Sequence, residues 1–365
     1  MINWEQFTVD NGAITDLKDL LFLQTFEDPD LEKVTTQKTE VESGQKLDYV
    51  DTMQDVGVKG GGCDPEYEKV KITGVEKEWD LGTWEVAEYL CYTDIENTIG
   101  KAGLKAGTDK ADLQDTPYWD TVLMPLLQRV MKQMFWRMVW FGDKQAKNVS
   151  QGGVITDGVK TNLFTTADGL WKRIFAVCAA NSRQRTTIAA NAQSTLAAQM
   201  AAIKVEGTAI GIVDDLLQDA DSRIFDDDQA CLIMTNSLFK ALRNDVYKRV
   251  KCTLTVEQIT KGIALSEYDG TPIIVLDIWD RMIKKYETII TTTGEGDNAV
   301  TTERVNNPHR AIVVSPKNLF VGTEDKDKIA SLSIKFDDIT RKNHIYASST
   351  IGTLIGEDEL LQAAY

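Results

Sequence analysis

Apolar residues recur at steps of three and four between Val122 and Phe141, which places them on one face of an α-helix. These positions are Leu123, Leu127, Val130, Met134, Met138 and Phe141. Thr116 is a suitable N-cap, and Pro117 follows where a helix accepts proline best. The pattern therefore predicts a helix over 117–141, about 38 Å long at about 1.5 Å per residue, with a kink at Pro125, which removes a backbone donor.

This segment has the length of a membrane span, but its charges argue against one. Arg129, Lys132 and Arg137 would each cost about 2.5–3.5 kcal/mol near the centre of a bilayer. Gln128 and Gln133 share the polar face with two of these charges. We therefore expect a soluble amphipathic helix and no membrane association.

A different pattern precedes the helix. Residues 1–45 contain a short helical stretch and then polar sequence, which predicts an arm with little core of its own. In residues 46–95 apolar positions alternate with charged ones, which predicts two long strands joined by a turn. The alternating apolar positions are Val70, Ile72, Val75, Trp79, Leu81, Trp84 and Val86. Such a projecting hairpin is marginal unless something packs on it.

Residues from about 150 to 330 predict a compact α+β region. Helices are expected at Leu170–Ala180, Ala189–Ala202, Ile210–Asp219 and Leu238–Val250. Strands are expected at Cys231–Met234, Ile263–Leu265, Ile273–Leu276 and Ala311–Val314. Asp269-Gly270 predicts a tight turn between two strands, residues 291–307 predict a surface loop, and the end of the chain predicts strand, charged turn and strand.

Charge narrows the class of function. The 365 residues include 56 acids and 40 bases, a net charge of −16, whereas a protein that grips nucleic acid normally presents a basic face. An anionic surface instead suits a protein that surrounds nucleic acid without adhering to it. The N-terminus shows no secretory pattern, and five irregularly spaced cysteines indicate reduced thiols in a cytosolic chain.

Gly60-Gly61-Gly62 follows Lys59, which raises the question of a phosphate-binding loop. In that motif the lysine comes after the last glycine and a hydroxyl residue comes next, so the spacing here is wrong. Cys63 has no cysteine or histidine partner at zinc-site spacing. The glycines predict a hinge, and a contact between Cys63 and Cys91 across the hairpin is an open alternative.

The remaining candidates for chemistry are weak. The two histidines, His309 and His344, lie in no nucleophile motif and are expected at the surface or in turns. Residues 219–230 begin like a calcium loop but lack its sixth-position glycine and terminal glutamate. Asp337-Asp338 is expected in the turn of the terminal hairpin. We therefore expect no catalytic site, no cofactor and no metal, and the chain is not expected to be an enzyme.

The order of these elements resembles the major capsid proteins of tailed bacteriophages, which have the Hong Kong 97 fold. The residues that carry this resemblance most specifically lie near the C-terminus, in "NPHRAIVVSPKNLFVGTEDK" and "SLSIKFDDITRKNHIYASSTIGTLI". The stretch "CDPEYEKVKITGVEKEW" and the later "LCYTDIE" look like capsids of crAss-like phages that infect Bacteroides and its relatives. The resemblance runs along the whole chain but includes no short diagnostic motif.

The resemblance implies an α+β Hong Kong 97-type fold with five regions. They are an N-terminal arm at 1–45, an extended β-hairpin loop at 46–95, a peripheral domain at 96–149 with a spine helix at 117–141, an axial domain at 150–325, and the C-terminal part of the peripheral domain at 326–365.

It also implies residues for contacts between subunits. Trp79, Trp84, Trp136 and Trp140 are the expected aromatic anchors, since large aromatics bury the most area; for the last two, packing inside the chain is the alternative. Some relatives crosslink an extended-loop lysine to a peripheral-domain asparagine, roles that Lys69 or Lys71 and Asn343 would take here. The glycines Gly60, Gly61 and Gly62 would form the hinge of the extended loop.

The implied function is structural. Hexamers and pentamers of the chain would form an icosahedral shell around packaged double-stranded DNA, assembled in the cytoplasm of a host bacterium and located in the virion. Portal, scaffolding and decoration proteins are the expected partners. The alternatives are an encapsulin-like nanocompartment shell, a minor or decoration capsid component, and an enzyme with a site scattered over the α+β region.

Overall fold

The computed structural model describes residues 31, 34–53, 72–91, 124–251, 257–260, 263–293, 300–324, 333–337, 339–340 and 342–365. The strands are β1 (Thr36–Lys38), β2 (Lys46–Met53), β3 (Ile72–Glu78), β4 (Gly82–Cys91), β5 (Arg185–Thr186), β6 (Cys231–Thr235), β7 (Glu257–Thr260), β8 (Ile263–Tyr268), β9 (Thr271–Leu276), β10 (Thr288–Thr293), β11 (Val300–Val305), β12 (Ala311–Val314), β13 (Leu319–Gly322), β14 (Ser333–Asp337), β15 (Lys342–Ile355) and β16 (Leu361–Ala364). The α-helices are α1 (Met124–Phe141), α2 (Leu170–Ala180), α3 (Leu196–Ala202), α4 (Thr208–Asp219), α5 (Asn236–Val250) and α6 (Asp277–Tyr286).

A seven-stranded mixed sheet organises the middle of the chain, in the order β5-β16-β12-β6-β9-β8-β7. Successive residues of a strand face opposite sides of a sheet, and here both sides are buried. Leu232 and Met234 of β6 join the core formed with α4 and α5, whereas Cys231 and Ile233 join the core formed with α1, α2 and α6. Burial on both faces explains why these strands read as continuous apolar runs in the sequence.

The tight turn predicted at Asp269-Gly270 is confirmed, and it joins β8 to β9. Asp269 has φ of 49° and Gly270 has φ of 76°. Two successive positive φ values match the twist of an antiparallel hairpin, and aspartate followed by glycine accepts them at low cost.

A second, five-stranded sheet forms around β15, the longest strand with 14 residues. The first part of β15 pairs with β14 and with β4, its last four residues pair with β13, and β13 pairs in parallel with β1. Ile345, Ala347 and Ile351 point inward toward the core that contains α1. The chain therefore brings residues 36–38, 82–91, 319–322, 333–337 and 342–355 into one sheet.

Aromatic side chains join the long helix α1 to the rest of the molecule. Trp84 of β4 meets Phe135 of α1 edge-to-face, with ring centroids 5.3 Å apart. Trp140 contacts Trp279 of α6 at 4.6 Å, and Trp279 contacts Trp171 of α2 at 4.9 Å, both nearly perpendicular. These are favourable aromatic geometries, and they hold three helices together at one point.

Beside the tryptophans lies a fully buried cation. Arg310, which immediately precedes β12, is 0% exposed and forms an ion pair with Glu287. The guanidinium carbon lies 5.1 Å from the ring centroid of Trp171, 5.4 Å from that of Phe175 and 5.8 Å from that of Phe141. The guanidinium also donates to the carbonyls of residues 306 and 307, at 3.0 and 2.9 Å. Charge pairing, hydrogen bonds and cation–π contacts together offset the cost of burying the charge.

Two strands form a ribbon that leaves the body of the molecule. β2 pairs with β3 in antiparallel register from Lys46 opposite Glu78 onward. At the base of this ribbon Trp79 packs with Val41 and Leu354, and Lys77 forms an ion pair with Asp358. A Cβ atom on Gly322 of β13 would collide with the Trp79 ring at 2.5 Å, so glycine is required beneath this tryptophan.

The pairing within 46–95 differs from the prediction. We expected the apolar stretches before and after Trp79 to form the two arms of one hairpin. β3 instead pairs with β2, and β4 pairs with β15 over residues 82–91. The reason is burial, because Trp84 on β4 finds the core of α1 only when this strand joins the five-stranded sheet.

Two further predictions need correction. Residues 291–307 were expected to be a surface loop, yet β10 and β11 form an antiparallel ribbon whose exposed strands are rich in threonine, a residue that favours strands. The helix predicted over Ala189–Ala202 is divided into a 3₁₀ turn, Ala189–Ala192, and α3, because Thr195 caps α3 by accepting from the amide of Ala198.

The other described elements agree with expectation. The helix Leu170–Ala180 and the strand Ala311–Val314 have the predicted bounds, and α1 ends at the predicted Phe141. The terminal strand, turn and strand are confirmed as β14 and β15. The helix predicted in the arm and residues 117–123 lie outside the described residues, and the five domain boundaries remain predictions.

Replacing Trp140 by alanine should lower the free energy of unfolding by about 3–5 kcal/mol, because it removes a buried aromatic and leaves a cavity. Chemical denaturation would measure the loss. Val130→Ala on the same helix is the matched control, since Val130 is 59% exposed and should change stability by less than about 0.5 kcal/mol. Equal effects of the two changes would contradict the assignment of Trp140 to the core.

A double-mutant cycle tests the buried ion pair. Glu287→Leu alone should destabilise the protein by about 3–5 kcal/mol, because it leaves the Arg310 charge buried without a counter-charge. Arg310→Met combined with Glu287→Leu should cost clearly less than the sum of the two single changes when unfolding is followed in denaturant. Strictly additive losses would show that the two side chains are not coupled.

Candidate subunit-contact surfaces

The four predicted tryptophan anchors lie inside the chain. Trp79, Trp84, Trp136 and Trp140 are 4%, 2%, 3% and 0% exposed. A side chain with so little exposed surface has almost none left to bury against a neighbour. The structure therefore assigns these tryptophans to intramolecular packing, which is the alternative given for Trp136 and Trp140 and a correction for Trp79 and Trp84.

Several other predicted residues lie outside the described part of the chain. These are Lys69, Lys71, Gly60, Gly61, Gly62 and Cys63. Their roles in the hinge, in the crosslink and in a contact with Cys91 remain predictions. The proposed crosslink partner, Asn343, is 1% exposed within β15.

His309 is not at the surface as expected. It is 0% exposed, and its backbone amide donates to Asn191 Oδ1 at 3.1 Å. Its Nδ1 lies 3.0 Å from the hydroxyl oxygen of Ser237, and its Nε2 lies 3.4 Å from the carbonyl of Gln199. The ring therefore joins α3 to α5 inside the core. The expectation failed because the flanking Asn-Pro looks like a turn in sequence, whereas the partners of His309 are far away in the chain.

Ser237 and His309 have the spacing of a nucleophile and its base. Burial lowers the pKa of His309 to about 4, well below the range in which a histidine serves as a general base near neutral pH. Its second nitrogen faces a backbone carbonyl where a catalytic triad has a carboxylate. The arrangement is that of a structural hydrogen-bond network.

The aspartates of segment 219–230 form hydrogen bonds and ion pairs with other residues of the protein. Asp221 accepts from the amide of Arg223, and Asp227 accepts from the Ser315 hydroxyl at 2.6 Å and from Lys317 at 2.7 Å. These contacts hold the pKa of Asp227 well below its usual range. Within the described ranges no group of three or more potential metal ligands occurs, and no helix there has the length and hydropathy to cross a membrane.

The five-stranded sheet has an outer face that is exposed around the first residues of β15 and the last residues of β4, within the described part of the chain. Tyr89 of β4 and His344 of β15 lie directly opposite each other, and Tyr89 is 58% exposed. Lys342 places its ammonium 3.7 Å from the centroid of the Tyr89 ring. Tyr346, 40% exposed, lies on the same face. His344 is thus at the surface, as expected.

The turn between β14 and β15 presents one apolar side chain to solvent. Ile339 is 92% exposed, more than any other large apolar residue in the described part of the chain. Asp337 holds the turn, because it accepts from the backbone amide of Ile339 at 3.0 Å and from the hydroxyl of Thr340 at 2.6 Å. The sequence carries a signal that our prediction missed, a single isoleucine within a charged turn.

A cleft of about 270 Å³ lies where the ribbon base meets the two sheets. Leu47, Ile224, Phe320 and Leu360 give it an apolar lining. Arg223, Asp227, Lys317 and Glu357 provide its charged rim. No sequence pattern indicated this cleft, since its walls come from four separate parts of the chain.

The ribbon of β10 and β11 is a third exposed feature. Its base is buried at Thr288 and Val305, whereas Ile290 and Val300 are each 59% exposed. The register places these two residues on opposite faces of the ribbon. Both faces therefore present apolar surface that the described part of this chain does not cover.

Comparison with known proteins gives a similarity of fold. No family model matches the chain, and no curated protein is significantly similar to it. A chain of the Gordonia phage Cozz structure aligns with a TM-score of 0.51 and 9% identity, over 92% of this chain and 85% of that one. A satellite phage P4 procapsid chain aligns at 0.46 and 10% identity, over 97% and 98%. A chain of the cyanophage P-SCSP1u capsid aligns at 0.46 and 12% identity, over 91% and 86%. At 9% identity the first similarity establishes a shared mixed α+β fold.

The buried histidine predicts a pH dependence of stability. The unfolded chain binds a proton at His309 with a pKa of about 6.5, and the folded protein does so only near 4. Stability is therefore fully present above pH 6.5 and is lost as the pH falls toward 4, by about 3 kcal/mol. The buried carboxyl of Asp280, whose pKa is raised by desolvation, acts in the opposite direction.

Denaturant unfolding at pH 7, 6, 5 and 4 measures this contribution when the parent is compared with His309→Gln. The variant should lose less stability than the parent between pH 6.5 and 4, because it has no proton to bind there. Asp280 and the other carboxylates are common to both proteins and cancel in the comparison. Parallel pH profiles would contradict the assignment.

Proposed function

We propose that this chain is a structural subunit of a bacteriophage capsid shell. The observation that carries the proposal is the fold similarity to a phage chain over 92% of the residues. It is joined by the order of arm, ribbon, long helix and α+β body that resembles tailed-phage major capsid proteins. In this proposal the function of the protein is to associate with further copies of itself.

The exposed ribbons support self-association on physical grounds. A two-stranded ribbon is marginally stable in water, and its unpaired edges invite further strands. β2–β3 and β10–β11 each form such a two-stranded sheet. In a closed, symmetric assembly each ribbon would pack on the next subunit, and many weak contacts would sum to a stable shell.

We assign the finer architecture to the Hong Kong 97 type. The seven-stranded sheet is the axial domain, and the five-stranded sheet with α1 is the peripheral domain. The β2–β3 ribbon belongs to the extended loop, while β4 contributes to the peripheral sheet. Hexamers and pentamers would build an icosahedral head in the host cytoplasm, with portal, scaffolding and decoration proteins as partners. A crAss-like phage of Bacteroides or its relatives is the proposed source.

The charge of the chain fits this role. With a net charge of −16 the subunit would have little general affinity for the phosphate backbone. Such a shell would enclose double-stranded DNA without sequence-specific binding.

Assembly of the purified chain tests the proposal. Light scattering and negative-stain microscopy should find closed shells, or rings of six copies of the 40.7 kDa chain, about 240 kDa. A chain that stays monomeric or dimeric at all concentrations would overturn the proposal. The material enclosed by the shells distinguishes a capsid from a nanocompartment. A capsid packages DNA through a portal, whereas a nanocompartment encloses a protein cargo.

Removing the ribbon tests its part in assembly. Replacing residues 49–75 by a short Gly-Ser linker keeps the base residues Leu47 and Trp79 and the whole of β4. Because the variant keeps Leu47 and Trp79 with their packing against Val41 and Leu354, it should unfold at nearly the parent temperature but fail to close shells. Normal shells from this variant would contradict the role of the ribbon.

A further inference from the structure

An exposed apolar knob and an apolar cleft lie at opposite ends of one strand. Ile339 stands in the turn just before β15, and Gly356, which lines the cleft, directly follows the last residue of β15. Fourteen strand residues at about 3.3 Å each separate the two features by roughly 45 Å. Ile339 therefore cannot enter the cleft of its own chain.

The cleft has the size and chemistry to receive an isoleucine side chain. A cavity of about 150 Å³ is large enough to bind benzene, and this cleft measures about 270 Å³. Ile224, 2% exposed, lies at its floor, with Phe320 and Leu360 in its walls. An aliphatic side chain of four carbons would bury its surface there together with adjoining backbone.

The charges around the two features are complementary. The charged rim by itself is balanced, but the rim together with its immediate neighbours, named here the acidic rim, carries six acids against three bases. Each of these three bases is already paired. Arg223 pairs with Asp221 and Glu359, Lys317 pairs with Asp227 and Asp228, and Lys77 pairs with Asp358. The side chain of Asp228 is 87% exposed. The segment that carries Ile339, residues 335–342, has Lys335, Arg341 and Lys342 against Asp337 and Asp338, so its excess of one positive charge would face these acids.

The knob is held in position before any contact forms. The Asp337 carboxylate fixes both the Ile339 amide and the Thr340 hydroxyl. A backbone that is already hydrogen-bonded loses less entropy on binding than a flexible loop does. These two hydrogen bonds therefore favour insertion of Ile339 into a groove.

We propose that Ile339 of one subunit inserts into the cleft lined by Ile224, Phe320 and Leu360 of a second copy of this chain. The contact joins two different surfaces, so it is heterologous, and it generates rings or larger arrays when repeated. Lys335 and Lys342 flank it and face the acidic rim. This inference rests on the proposed function and names one contact through which subunits associate.

Cysteine trapping tests the contact directly. Two variants are prepared separately, Ile339→Cys and Lys317→Cys, and are then mixed and treated with diamide, which oxidises paired thiols to a disulfide. A disulfide-linked dimer should appear in the mixture and at most weakly in either variant alone. A mixture of Val205→Cys with Lys317→Cys is the control, since Val205 is also exposed, at 59%, and lies outside both the cleft and the β14–β15 turn. Equal crosslinking in both mixtures would overturn the proposal.

A charge placed on the knob tests its contribution to assembly. Ile339→Asp should raise the protein concentration needed for assembly at least tenfold, because it removes buried apolar surface and opposes the acidic rim. Val205→Asp should assemble like the parent. Both positions are exposed, so both variants should unfold at the parent temperature, which circular dichroism checks.

The outcomes separate this contact from the proposed function. If the parent and Ile339→Asp both form shells at the same concentration, the contact is wrong and the shell function stands. If the parent forms no assembly at any concentration, the contact between copies and the proposed shell function are both overturned. If Ile339 proves essential only when a second protein is added, the cleft receives that protein and the contact between copies is overturned.

Discussion

The buried charge of Arg310 is the constraint on which the centre of this molecule depends. An arginine that is 0% exposed is tolerated only if a counter-charge, hydrogen-bond acceptors and aromatic faces all reach it. Glu287 comes from the end of α6, Trp171 and Phe175 come from α2, and Phe141 is the last residue of α1. Because each element satisfies a different part of one guanidinium, the long helix is joined to the seven-stranded sheet in a single geometry. A lysine would lack the planar, multiple donors that make this possible.

From this rigid centre the structure extends outward through less buried elements. The seven-stranded sheet has cores on both faces, while β15 alternates between buried and more exposed residues over its first part and is buried throughout at residues 351–355. β2–β3 and β10–β11 form separate two-stranded ribbons. In the proposed assembly, the core would keep each subunit in one shape, and the marginal elements would gain their stability from neighbours. The length of β15 also sets the distance between the exposed Ile339 and the cleft.

Sequence patterns predicted many helices, strands and turns correctly, but they predicted poorly how several of these elements pair and pack. The bounds of α2 and β12, the end of α1 and the turn at Asp269-Gly270 followed from periodicity and turn chemistry. The β10–β11 ribbon was missed because a threonine-rich strand exposed on both faces has no apolar alternation to detect. The sequence identified the tryptophans as important, but it did not show whether they pack inside the chain or against a neighbouring subunit. The cleft was beyond sequence analysis, because its walls are contributed by residues from Leu47 to Leu360.

The sequence by itself determined many of the helices and strands and the apolar face of each of these, because periods of 3.6 and 2 report the burial of neighbouring side chains. It also determined the anionic character of the surface. Only the tertiary structure decided that β4 pairs with β15, that His309 is buried against Ser237, and that Ile339 remains outside. Any strand edge offers the same donors and acceptors, so the choice of partner depends on side chains that are distant in the chain and meet only in the folded core.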